Sequence, residues 1–233
     1  MMTNAGLLNR SANAVSFLDY GKILGVTAGT LIRNDHLGGR QMHNFILEHC
    51  SRTGGARRPK IVKIRQKHSN RIVEADSYLG APADGIYTST PALVPVIRTA
   101  DCLPLFLTDG ETVALIHLGW RGILLGIIDR FFAEVAQLNI AGARAVVGPG
   151  IGKCCFEMSP EARLLFDRQY RVKINQKNTV DLESLVVDEL AKHGLKYIYK
   201  SEACTYCEED KYYSYRREGN DVRHMYSFIC KSE

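Results

Sequence analysis

No apolar run in this sequence approaches the ~18–20 residues of a membrane span. Segments such as VPVI at 94–97 are short and punctuated. The opening twenty residues, MMTNAGLLNRSANAVSFLDY, lack the basic start and unbroken apolar stretch of a secretory signal. An excess of one charge is also missing. Thirty Lys and Arg against 25 Asp and Glu leave a net charge of +5, which suits a small anionic substrate and is too weak for nucleic acid without a basic stripe. Repeats and low-complexity linkers are absent. The seven cysteines are an odd number, so at least one thiol is unpaired within the chain. Without an export signal, such thiols are expected to be metal-binding, catalytic or buried rather than disulfide-bonded. The expectation is a cytoplasmic protein with no membrane or nucleic-acid partner; oligomeric state stays open.

What is present is an ordinary globular composition, 45% hydrophobic and 24% charged over 233 residues. A chain of this size buries roughly 70% of its unfolded surface, enough for a core without staples. Strand patterns fall at 14–18, 22–27, 60–65, 71–74, 93–98, 103–108, 112–117, 143–148, 196–200, 211–215 and 223–230. Helical spacing occurs at 40–50, over a long stretch at 121–138, after Ser159-Pro160-Glu161, and at 182–193 between the cap Asp181 and the terminator Gly194. The run of strands at 60–117 lacks the helical crossovers of a wholly parallel sheet. These patterns predict an α/β fold of the α+β type: one domain over residues 1–233, with a central mixed sheet and helices packed on it.

The chemistry-bearing residues concentrate between 63 and 122. His68, Cys102 and His117 each sit at a strand end beside turn-formers, where neighbouring strands bring side chains to one rim. Two imidazoles and a thiolate make a three-ligand zinc set with a fourth position open, as in catalytic sites. The blander reading is that they are ordinary buried polar and small apolar groups.

In order along the chain stand QKHS (66–69), ADGIYT (83–88), TADCLP (99–104), HLGWRG (117–122), GPGIGKCCFE (148–157), CT (204–205) and YSYRRE (213–218). Together they resemble the YfiH-like family, called laccase-domain or polyphenol oxidase proteins and later purine nucleoside phosphorylases. The resemblance runs from about residue 60 to the C-terminus, while the first ~55 residues match poorly. A Gly-Arg pair usual in the family is replaced by Val222-Arg223.

The resemblance implies zinc at His68, Cys102 and His117 and a pocket for adenosine, inosine or methylthioadenosine. Phosphorolysis to a base and ribose 1-phosphate is the implied reaction; adenosine deamination and peptidoglycan editing are also attributed to the family. Arg121 offers the planar fork that binds phosphate bidentately and is expected to serve substrate and catalysis. Asp101, beside a ligand, is expected to orient it or shuttle a proton. Gln66 and Ser69, in the His68 motif, are the further expected substrate-binding residues. The partners are thus purine nucleosides and phosphate.

Alternatives use the same residues. A copper polyphenol oxidase would use the two-His, one-Cys set with a distant methionine, but no methionine follows His117 until Met158, and seven histidines are too few for a multicopper oxidase. A cysteine hydrolase would take Cys102 as nucleophile with His117 or His68 as base. A binding protein of cell-wall synthesis would use no catalysis at all. Elsewhere, Cys204-x-x-Cys207 with Cys154-Cys155 would make a four-thiolate zinc site, but adjacent cysteines are not spaced for chelation. Arg216 and Arg217 among Tyr212, Tyr213 and Tyr215 read as part of a half-buried strand rather than a nucleic-acid surface.

Overall fold

A computed structural model describes residues 6–11, 15–170 and 179–233. The strand expected from residue 14 therefore begins outside the described residues. Among the described residues, twelve strands build two six-stranded sheets. The first holds, side by side, β1 (Leu8–Arg10), β2 (Ser16–Asp19), β3 (Thr27–Leu31), β12 (Met225–Cys230), β7 (Leu93–Thr99) and β4 (Lys60–Lys63). The second holds β11 (Tyr197–Lys200), β10 (Arg144–Val147), β8 (Leu103–Thr108), β9 (Val113–Leu118), β6 (Gly85–Thr88) and β5 (Ile72–Glu74). Pairs β4–β7, β5–β6 and β10–β11 are parallel, and the other pairs are antiparallel. The fold is thus mixed α/β as expected, with its strands divided between two mixed sheets rather than gathered into one.

The two-residue period of the strands explains the layering. Phe106, Val113, Leu115 and Val146 of the second sheet face Leu18, Ile97, Met225 and Ile229 of the first. The alternate residues Leu105, Leu107, Ala114, Ile116, Ala145 and Val147 face outward. They are covered by α3 (Trp120–Leu124), α4 (Ile127–Glu134), α5 (Pro160–Tyr170) and α6 (Leu182–Lys192). On the far side of the first sheet, Phe45, Ile46 and Cys50 of α2 (Gly39–Gly54) cover Val94, Val96 and Phe228. Both faces of β8 and β9 are buried, which is why LPLFLT and VALIHL read as near-continuous apolar runs. Cutting the fully buried Phe106 or Phe228 to alanine would cost about 3–5 kcal/mol.

Four local expectations change. The helix expected over 121–138 breaks into α3 and α4, because Gly126 takes a left-handed φ of 73° between them. Residues expected as a strand at 22–27 start instead as the short helix α1 (Gly21–Leu24), closed by Gly25 at φ 77°. The strand expected at 211–215 is a turn leading into α7 (Tyr215–Glu218), with Tyr212 and Tyr213 both buried. Their burial, not strand alternation, explains the tyrosines. Finally, β6 was not anticipated, since only four residues separate Asp84 from Ser89.

Candidate metal centre

Antiparallel register brings the starts of β6 and β8 level with the end of β9: Gly85 pairs with Ile116 and Leu103 with Leu118. Asp84 precedes β6, Cys102 precedes β8, and His117 sits one residue from the end of β9. Strand alternation turns Cys102 and His117 toward the first sheet. The site therefore lies at the open end of the space between the sheets.

Asp84 is fully buried and collects five donors. Backbone N–H groups of Lys67, His68 and Ser69 reach its carboxylate at 3.2, 2.9 and 2.7 Å. The Ser69 hydroxyl donates to it at 2.6 Å and His117 Nδ1 at 2.8 Å. Wrapping three successive amides round one anion bends the chain, and His68 takes a left-handed φ of 58°. The carboxylate thus places His68 through the loop and His117 through its ring.

Burial alone would raise the Asp84 carboxyl, but the bonds from His117 and Ser69 hold it well below the usual carboxylate range. It is therefore an acceptor only, and His117 must carry its proton on Nδ1, leaving Nε2 for Cys102. Donor atoms of His68, Cys102 and His117 all lie within 4.8 Å of one another, with Cys102 Sγ 3.7 Å from His68 Nε2.

Withdrawal from water pushes the Cys102 thiol up, yet the charge and hydrogen bond of His117, helped by His68, bring it down to about 6. Burial likewise depresses His117, but Cys102 and Asp84 raise it to about 9. Without metal, the pair is a thiolate and an imidazolium. Gly119 makes room for the trio: a Cβ there would stand 2.4 Å from His68 Cδ2 and 3.3 Å from Cys102 Sγ.

A cavity of about 530 Å³ opens over these three residues. The first sheet contributes Arg98, Thr99 and the nearby His224, and the second contributes Cys102 and His117. Trp120, Phe156 and Tyr215 add aromatic wall, and Arg121 and Arg216 add positive charge. A larger cavity of about 810 Å³ lies elsewhere, at Arg33, His36 and Glu218, away from the trio.

The expected site residues distribute unevenly. Arg121 lines the cavity with its guanidinium 4.2 Å above the Trp120 ring. Gln66 also lines it, but its amide is engaged with the backbone of Arg98, donating to the carbonyl at 2.7 Å and accepting from the N–H at 2.9 Å. Ser69 is not among the lining residues; its hydroxyl serves Asp84 behind His68. Asp101 lines the cavity at a left-handed φ of 85°. Its two carboxylate oxygens accept from Thr205 Oγ1 at 2.6 Å and from the Arg216 N–H at 2.7 Å.

Sequence reading gave no role to Asp84, although it stands in ADGIYT, one of the motifs that carry the resemblance. It also passed over Phe156 and His224, which reach the cavity from distant loops, and Tyr215, which reaches it from the start of α7. Arg216 and Arg217, weighed for nucleic acid, part company here. Arg216 lines the cavity, while Arg217 spends its guanidinium on the carbonyls of Thr205, Tyr206 and Tyr212.

Two imidazoles and one thiolate, with a buried carboxylate behind one imidazole, form a chemically apt metal-binding set. The chain is also similar to known proteins. A purine nucleoside phosphorylase named YfiH from Escherichia coli is 33% identical over 180 residues, covering 73% of each chain. A purine nucleoside phosphorylase from Aquifex aeolicus is 30% identical over 166 residues, covering 70% of this chain and 80% of that one. Among solved structures, a Neisseria meningitidis protein superposes with a TM-score of 0.72 at 25% identity, over 96% of both chains. YlmD from Geobacillus stearothermophilus, at 22% identity, shares the fold with a TM-score of 0.76 over 97% and 99% of the two chains. Residues 45–232 match the family described as multi-copper polyphenol oxidoreductase laccase, and the chain belongs to that family.

Proposed function

We propose that this chain is a zinc-dependent purine nucleoside phosphorylase, with His68, Cys102 and His117 holding the metal. The observation that carries the reading is the convergence of those donors, braced by Asp84, under a cavity with both aromatic and cationic walls. Relatives named purine nucleoside phosphorylase at 30–34% identity support the substrate class.

Zinc in an open three-ligand site supplies Lewis acidity and a water of lowered pKa. The remaining tasks fall to the chain. Arg121 offers a bidentate grip for phosphate, kept in orientation by stacking on Trp120. Trp120, Phe156 and Tyr215 give flat apolar surface for a purine. Arg98 and Arg216 add positive charge where the transition state of phosphorolysis places phosphate opposite an oxocarbenium-like ribose. Asp101 acts as a positioning residue, because both its oxygens are engaged and its backbone leads directly into Cys102. Adenosine deamination, also implied by the resemblance, would draw on the same cavity.

Phosphorolysis is tested by incubating zinc-loaded protein with adenosine, inosine or methylthioadenosine and phosphate. Free base and ribose 1-phosphate are expected, lost in Cys102→Ala. Metal-replete protein that leaves every nucleoside untouched overturns the reading.

A second reading draws on the low Cys102 pKa, about 6: a thiolate beside an imidazolium is also how a cysteine hydrolase arms its nucleophile. Alkylation of Cys102 at the same rate with and without chelator, together with a hydrolysis that survives metal removal and is lost on alkylation, would favour it. A multicopper oxidase is less well served, because only three histidines line the cavity and Met158 does not.

A further inference from the structure

A loop of the cavity wall and the loop laced to it bring four cysteines together. Cys154 and Cys155 lie in a turn after Gly152, and Cys204 and Cys207 in a turn after Ser201. The loops are laced by backbone: Gly150 bridges to Cys204, and the Thr205 N–H donates to the Gly150 carbonyl at 3.0 Å. All four Sγ atoms lie within 4.8 Å of one another. Cys207 Sγ is 3.4 Å from Cys155 and 3.7 Å from Cys154, and all four thiols are free.

Those spacings match a metal tetrahedron. Four sulfurs about 2.3 Å from a central zinc stand about 3.8 Å apart. The objection raised by the adjacency of Cys154 and Cys155 fails because the turn directs both sulfurs to the same point. The Cys204-x-x-Cys207 half is a tight knuckle, with the N–H groups of Cys207 and Glu208 donating to the Cys204 carbonyl at 3.1 and 3.0 Å. One ligand is already held: the Gly152 N–H donates to Cys204 Sγ at 3.3 Å, a contact that steadies a thiolate.

We propose that Cys154, Cys155, Cys204 and Cys207 bind one zinc ion in a closed four-thiolate site, distinct from the site of His68, Cys102 and His117. Soft thiolates in tetrahedral array select zinc over harder divalent ions, and a full set of four protein ligands marks a structural rather than a catalytic metal. Its effect is to tie residues 148–157 to residues 201–208. The first segment reaches the cavity directly, and the second acts on it through Asp101. Phe156, next to Cys155, forms part of its wall. Thr205, next to Cys204, holds Asp101 at 2.6 Å, and Arg216 Nη2 donates to the Glu157 carbonyl at 2.9 Å.

The test is elemental analysis of protein purified under reducing conditions, with X-ray absorption at the zinc edge. Wild type is expected to carry about two zinc ions per chain, and Cys102→Ala about one, coordinated by four sulfurs at about 2.3 Å. Cys207→Ser, at an exposed position, removes the four-thiolate ion and leaves the other; Cys154→Ser, also exposed, does the same where the first variant does not fold. The proposal is overturned if folded Cys102→Ala holds no metal, if its zinc shows nitrogen ligands, or if peptide mapping finds these cysteines joined as disulfides. Should wild type and Cys102→Ala both hold one sulfur-bound ion, the four-thiolate site stands and the metal role of His68, Cys102 and His117 falls.

Discussion

Asp84 accepts a 2.8 Å hydrogen bond from Nδ1 of His117, and neither side chain is open to water. The same carboxylate draws in the amide of His68 at 2.9 Å. One buried anion thus orients two of the three donors, directing His117 Nε2 toward Cys102. Removing a partner of this kind behind a metal ligand typically lowers metal affinity about 10–100-fold. Asp84→Asn keeps the size but gives up the charge, so zinc affinity at the trio is expected to fall by about that factor. Competition with a chromophoric chelator reads it directly, in a Cys207→Ser background so that only one class of site is titrated. An unchanged affinity would make Asp84 a packing residue.

A second expectation concerns the metal-free protein. Cys102 is lowered to about 6 and His117 raised to about 9. The contribution of Cys102 to stability is fully present above its unfolded pKa of about 8.5 and is lost as pH falls through its folded value. That of His117 is fully present below about 6.5 and is lost as pH rises through its folded value. The ion pair therefore exists between pH 6 and 9. Alkylation of Cys102 in chelated protein should rise through an inflection near pH 6, while zinc-loaded protein resists the reagent. An inflection at the free-thiol value of about 8.5 would show that no such pair forms.

Cys102 and His117 were legible because one opens and the other closes an apolar strand, and antiparallel register gathers such ends; His68 lies instead on the loop after β4, where its amide is drawn to Asp84. Asp84 was less visible: an aspartate before a glycine is common turn chemistry, and its five donors come from a loop and a strand that only folding brings round it. The division into two sheets was hidden for a related reason. Strands β7, β8 and β9 follow one another closely, yet β7 joins β12 from the far end of the chain, and local periodicity carries no record of that pairing. Phe156 and His224 reach the cavity on loops and Tyr215 from the first position of the one-turn α7, where no periodic pattern marks them. Helix 121–138 misled because its apolar spacing continues across Gly126, whose positive φ only the backbone reveals.

Arg121 supplies the third expectation. Its guanidinium lies over the Trp120 ring at 4.2 Å, and the residue lines the cavity. A charge-assisted hydrogen bond to phosphate contributes about 1.5–3 kcal/mol, or roughly 10–100-fold in affinity. Arg121→Ala should therefore raise the KM for phosphate by about that factor while the KM for nucleoside changes less. Arg121→Lys should recover little, because an ammonium neither forks onto phosphate nor stacks on the indole in the same way. Equal losses for both substrates would point to a disturbed cavity instead of a phosphate contact.

The sharpest steric test is Gly119→Ala. Gly119 follows β9 and begins the turn into α3, with φ −76° and ψ 152°, values any residue can adopt. Backbone strain is therefore not the issue; space is. The added methyl would stand 2.4 Å from His68 Cδ2 and 3.3 Å from Cys102 Sγ, so His68 must rotate away or its loop must lift. Lifting the loop opposes the amide bonds to Asp84, and overpacking of this kind costs about 1–3 kcal/mol. The cheaper response is to turn the His68 ring out of the trio. Gly119→Ala should thus fold with nearly wild-type circular dichroism, lose the trio's zinc and with it the proposed phosphorolysis, and retain the four-thiolate ion. Metal analysis beside thermal melting separates these results: a variant that unfolds outright indicts the whole turn, whereas one that keeps its full zinc content and activity shows that His68 is not a required ligand.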